Sequence, residues 1–170
     1  MATVNTAWAS YTALTVTNLQ SLANDATDPF SSWQSARIDL QTSVKPLDML
    51  VIVDLSTAAT APANDQAAYL YIVPWMTTDG GTTWITGGNF GTTTLPTGTE
   101  GTASISDPNS MRVVTMPYKV TSQRLETMVS LYAMLGFVPD GVSFAIRNCT
   151  GAALSTGCVV AYRTITNTVA

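Results

Sequence analysis

The chain has no histidine, and only 11% of its residues are charged, seven Lys and Arg against eleven Asp and Glu in 170. Without histidine there is no Ser-His-Asp or Cys-His mechanism, no His-containing zinc site, and no general base of the commonest kind near neutral pH. Two cysteines nine positions apart in number, Cys149 and Cys158, cannot make a four-cysteine zinc site, and no Cys-x-x-Cys occurs. The net charge of −4 with scattered basic residues leaves no stripe to neutralise phosphates, so no nucleic-acid partner is expected. The longest apolar runs, such as Met49 to Val53 and Ala67 to Val73, fall far short of the roughly 20 residues a membrane helix needs. The opening residues show no basic segment followed by an apolar one, so neither a signal peptide nor a membrane partner is expected.

Low charge does not imply disorder, because 46% of the residues are hydrophobic and mean hydropathy is +0.21. A length of 170 residues fits one domain with one core, spanning 1–170. Its surface must be built from Thr, Ser, Asn, Gln and Gly, which suits burial against partners.

Strand signals dominate what is present. Runs rich in Val, Ile, Tyr, Phe and Thr recur between Gly, Pro, Asp and Asn. They predict strands at Tyr11 to Val16, Arg37 to Gln41, Met49 to Leu55, Ala67 to Trp75, Met111 to Met116, Thr127 to Leu135, Val142 to Asn148 and Cys158 to Ile165. About eight strands imply an all-β, antiparallel two-sheet sandwich. In "DMLVIVDL" Met49, Val51, Val53 and Leu55 alternate with Leu50 and Ile52, which predicts a central strand buried on both faces. Pro74 lacks an N–H, so the strand through "AAYLYIVPW" should end, bulge or meet an edge there. "TNLQSLANDA" predicts only a short turn or helix.

Residues 77–102, "TTDGGTTWITGGNFGTTTLPTGTEGT", form a long Gly/Thr-rich loop with an irregular hairpin around Trp84 and Ile85. Its apolar residues Trp84, Phe90 and Leu95 either peg the loop to its own sheet or meet another chain. Residues 1–10 read as an extended arm, and Trp8 on it is a further candidate contact.

"NCTGAALSTGC" carries both cysteines and an Asn-x-Thr that has no meaning without secretion. With "VSFAIRNC" and "CVVAYRTI" as strands it reads as a hairpin tip. Cys149 would then oppose Cys158, and Phe144 and Ile146 would share a face with Val159 and Ala161. The two sulfurs would be a disulfide or a pair of reduced thiols, the latter favoured by cytosolic synthesis.

No catalytic carboxylate pair stands out: Asp25, Asp28, Asp79, Asp107 and Asp140 all sit in turn contexts, and Asp54 and Glu126 lie in or beside strands. The Gly-rich segments lack the Lys-Ser/Thr of a phosphate loop and the spaced acids of a calcium loop. No enzyme activity, metal or cofactor is expected. Trp75, Trp84, Phe90, Tyr69 and Tyr71 serve either the core or a stacking platform for sugars.

The segments "VTNLQSLA", "SARIDL", "ATAPANDQAAYLYIVPW", "GTEGT", "FVPDGVSFAIRNCTGAALSTGC" and "VAYRTIT" resemble a family of small virion structural proteins of tailed bacteriophages, from about Leu19 to Ile165. The resemblance implies a jelly-roll-like sandwich that decorates or cements the outer face of a capsid, assembled in the host cytoplasm. It also implies a homo-oligomer bound to the major capsid protein. A tail or fibre component that recognises host glycan through Trp84 and Phe90 is the alternative.

Overall fold

The computed structural model describes residues 4–25, 30–41, 44–59, 66–86, 99–105 and 111–169. Its strands are β1 (Val4–Trp8), β2 (Thr12–Ala13), β3 (Phe30–Gln34), β4 (Ile38–Asp39), β5 (Asp48–Ser56) and β6 (Ala67–Thr77). They continue as β7 (Trp84–Thr86), β8 (Gly101–Ile105), β9 (Met111–Pro117), β10 (Arg124–Ser130), β11 (Gly141–Cys149) and β12 (Val159–Val169), with one short helix, α1 (Leu131–Leu135). The fold is therefore all-β, as the strand-rich sequence predicts. Two antiparallel sheets stack as a sandwich. One has the order β1-β12-β5-β10, with β2 also on β12; the other has the order β7-β6-β11-β3-β8, with β4 also on β11 and β9 also on β6.

Period-2 alternation makes the core. Met49, Val51, Val53 and Leu55 of β5 are fully buried and meet Leu70, Ile72, Phe144 and Ile146 of the facing sheet. Leu50 and Ile52 point the other way and are only partly covered, so the expectation that β5 is buried on both faces fails. β6 and β11 have that property instead. Tyr71, Val73, Trp75 and Ala145 form a second buried cluster on the far side of their sheet, where the Trp75 indole donates to Ser143 Oγ at 2.9 Å.

Pro74 falls where β6 changes neighbours. On that flank β9 pairs up to Ile72 and β7 begins at Trp75, so the residue without an N–H occupies the break between two partners. The run expected as one strand from Thr127 to Leu135 instead splits at Ser130. Ser130 Oγ caps α1 by accepting from Ala133 N at 3.0 Å, and Gly136, at φ +76°, ends the helix. Asp48 secures the corner, accepting from Ser130 Oγ at 2.7 Å and from Tyr132 N at 2.9 Å. Leu19 and Leu22 anchor the turn at residues 17–21, as the short apolar spacing predicts.

Two expectations about connectivity need correction. Residues 4–8 are not a free arm: β1 pairs with β12 from Val4↔Val169 to Trp8↔Ile165 and forms one edge of its sheet. The cysteine segment is not a hairpin tip. β11 belongs to the seven-stranded sheet and β12 to the five-stranded one, so "NCTGAALSTGC" crosses from layer to layer. Phe144 and Ile146 share the core with Val160, whereas Val159 points outward.

Asn148 organises that crossing. Its side chain is wholly buried; Nδ2 donates to Leu22 O at 2.8 Å and to Ala152 O at 2.7 Å, and Oδ1 accepts from Thr150 N at 3.0 Å and Thr150 Oγ1 at 2.6 Å. A loop that dives between two sheets carries backbone groups that neither sheet can satisfy, and one amide side chain satisfies several of them. Leu154 then plugs the gap between the layers and bridges to Thr57.

Candidate functional site

The two thiols that a hairpin would have brought together are separate and form no disulfide. Cys149 Sγ lies 3.2 Å from Asp25 O, while Cys158 is buried beside Ser56 and Ser155. Burial pushes the Cys158 thiol up from its ordinary range, which keeps it protonated and unreactive at neutral pH. Titration of the native protein with a chromogenic disulfide reagent should leave Cys158 unmodified, and both thiols should react after unfolding in guanidinium. Rapid native modification of Cys158, located by peptide mass, would contradict the packing of this corner.

The carboxylates are committed to structure. Asp79 Oδ1 accepts from Thr83 N at 2.7 Å, Thr82 N at 3.1 Å and Thr77 Oγ1 at 2.9 Å, and these bonds hold its carboxyl down at about 2. Gly80 and Gly81, both at positive φ, complete this turn. Asp140 accepts from Thr77 N and pairs with Lys45 at 3.2 Å; the backbone bond, then Lys45, keeps its carboxyl low. Asp54 and Glu126 stand opposite each other in register, but Arg124 chelates Asp54 and lies 3.8 Å from Glu126. Among the described residues no group of three or more Cys, Asp and Glu is placed to hold a metal ion. None of their helices is long and apolar enough to cross a membrane.

Trp84 is held on several sides. The Arg37 guanidinium lies 4.1 Å above its ring and 5.3 Å from the Trp75 ring. The indole N–H donates to Gly81 O at 2.7 Å. Gly141 lies against the benzo edge so closely that a Cβ there would sit 2.8 Å from Cζ3 and 3.1 Å from Ile38 O. A ring already stacked on a cation has little free face for a sugar, so the peg role fits Trp84 better than the platform. Phe90 and Leu95 lie outside the described residues.

Trp8 differs. It is 54% exposed, and the Arg163 guanidinium lies 4.4 Å from its ring and 4.7 Å from that of Tyr11, itself exposed. β1 and β12 bring the three together, because Trp8 pairs with Ile165 at the edge of the five-stranded sheet. Tryptophan, tyrosine and arginine are the residue types that dominate binding energy at protein interfaces. Sequence reasoning placed Trp8 as a contact but had no signal for Arg163 or Tyr11 beside it.

This trio borders a broad surface. The outward row Ala13–Ala161–Ile52–Met128 runs across four strands, and the next row is Val159–Asp54–Glu126. Met128 is 61% exposed and Val159 is also exposed, while Ile52 and Ala161 are partly so. A shallow groove lined by Ile52, Asp54, Glu126, Thr127 and Met128 runs along it. Large exposed apolar patches of this kind are commoner at interaction surfaces than elsewhere. The chain matches no protein family, no curated protein and no solved structure.

Proposed function

We propose that the chain is a virion structural protein that decorates or cements the outer face of a bacteriophage capsid, binding the major capsid protein as a homo-oligomer. The resemblance in sequence motivates this proposal, and the observation that carries it is the Trp8–Arg163–Tyr11 trio at the β1 edge. It offers an exposed anchor of interface type on a sheet, next to a strand whose outer flank has no strand partner among the described residues. A cement protein needs contacts rather than catalysis, and repetition around a lattice turns modest contacts into avidity. The locked Trp84 ring counts against the alternative of a glycan-binding tail or fibre component.

The test is co-sedimentation with capsid shells that lack the protein, followed by heating. Saturable binding in fixed proportion to the major capsid protein, with shells that survive higher temperature, is the expected result. Trp8→Ala should weaken shell binding about tenfold or more while the far-ultraviolet spectrum stays unchanged. Failure of the wild-type chain to bind shells would overturn the proposal.

A further inference from the structure

Arg163 is an unusual cation for so weakly charged a chain. Its two ring contacts position the guanidinium, yet its Nε is buried without a hydrogen-bond partner, and among the described residues no carboxylate pairs with it. A guanidinium held in place by two aromatic rings is preorganised to receive a carboxylate. Glu126, on the same outer face, has a side chain that is 67% exposed, and its nearest cation, Arg124, is already occupied by Asp54.

The strand register relates these two charges. From Ile52, Arg163 lies one strand over, on β12, in the row of Leu50. Glu126 lies one strand over in the opposite direction, on β10, in the row of Asp54. Ile52 is therefore the midpoint between a cation lacking a carboxylate and an exposed carboxylate, with the apolar Ala161 and Met128 on either side of it.

We propose that the outer face of the five-stranded sheet is a self-association surface, on which a second copy packs about a two-fold axis through Ile52, pairing Arg163 of each copy with Glu126 of the other. A two-fold in the plane of the interface, perpendicular to the line from Arg163 to Glu126, exchanges the two residues and brings Ile52 onto Ile52. Such an isologous contact closes on itself and needs only one self-complementary patch. Face-to-face sheet packing accommodates it, with apolar side chains at the centre and ion pairs toward the rim. The inference rests on the homo-oligomer part of the proposed function, shares Arg163 with it, and is read out without capsid shells.

Sedimentation equilibrium of the full chain tests it without shells. The wild-type chain should dimerise. Glu126→Arg and Arg163→Glu should each raise the dissociation constant about tenfold, whereas the double variant with both exchanges should return it close to the wild-type value. Met128→Lys, at an exposed position, should weaken the dimer without touching either charge. Circular dichroism of each variant checks the fold, and Glu126→Arg keeps the test intact if Arg163→Glu is unstable. A monomer at every concentration would overturn the proposal, as would a dimer indifferent to these substitutions. Single variants that weaken the dimer without recovery in the double exchange would overturn the pairing. Loss of shell binding with an intact charge-dependent dimer would overturn the capsid reading alone.

Discussion

Asn148→Ala should destabilise the fold by about 4 kcal/mol, enough to leave a domain of ordinary stability barely folded. Alanine leaves the carbonyls of Leu22 and Ala152 and the Thr150 N–H without the bonds that Asn148 now gives them, inside a wholly buried site. Each of the four lost bonds contributes about 1 kcal/mol, and the Thr150 N–H is left stranded, whereas the carbonyls of Leu22 and Ala152 keep Leu154 N and Thr150 Oγ1 as donors. Asn148→Asp is the informative companion. It keeps acceptors for Thr150 but has no donors for Leu22 and Ala152, and it places a charge in the interior, so it should be at least as damaging. Chemical denaturation measures both as a lowered midpoint at unchanged slope. A loss below about 1 kcal/mol would show the layer crossing to be held by Leu154 and its neighbours rather than by the amide.

Trp33→Ala should cost about 3 to 5 kcal/mol, the range for deleting a large buried aromatic. Trp33 is fully buried in β3, between β11 and β8. Its indole N–H donates to Glu100 Oε1 at 2.9 Å, and the same carboxylate accepts from Asn18 N and Asn18 Nδ2, both at 2.7 Å. The side chain thus contributes volume to the core and a tie between the turn at Asn18 and the residues leading into β8. Trp33→Phe separates these contributions, retaining most of the apolar surface without the donor, and should cost appreciably less than alanine. Thermal unfolding ranks the two variants; equal losses would mean that the hydrogen bond, not the packing, dominates at this position.

The parts of the fold legible in the sequence are those where one strand carries a dense alternating pattern. β5, β6, β11 and β12 announce themselves because each places three or more apolar side chains on one face. β1, β3 and β8, "VNTAW", "FSSWQ" and "GTASI", give weaker signals: β1 and β8 are edge strands, and Trp33 is the one large side chain that β3 is seen to bury. The crossing at "NCTGAALSTGC" could not be told from a hairpin, because two strands with an eight-residue spacer have the same local chemistry whether they pair or face each other. Ser130 and Gly136 did bear the cap signals of α1, but the surrounding β-prone residues outweighed them. At the surface, Trp8 was legible as an apolar residue near one end. Its setting was not, since Arg163 reaches it only through a pairing between the two ends of the chain. The converse holds for Trp84, whose partners Arg37 and Gly141 are supplied by other strands.

The pairing of β1 with β12 also sets the order of events on the ribosome. β1 is made well before β12, which at Ile165 to Val169 is its strand partner among the described residues. β5, too, lacks one of its two neighbours until β12 is made. The five-stranded sheet therefore cannot assemble until β12 has been made, and until then the growing chain carries β5 with one edge open. High production rates should favour inclusion bodies for this reason, and slower synthesis at low temperature should raise the soluble yield.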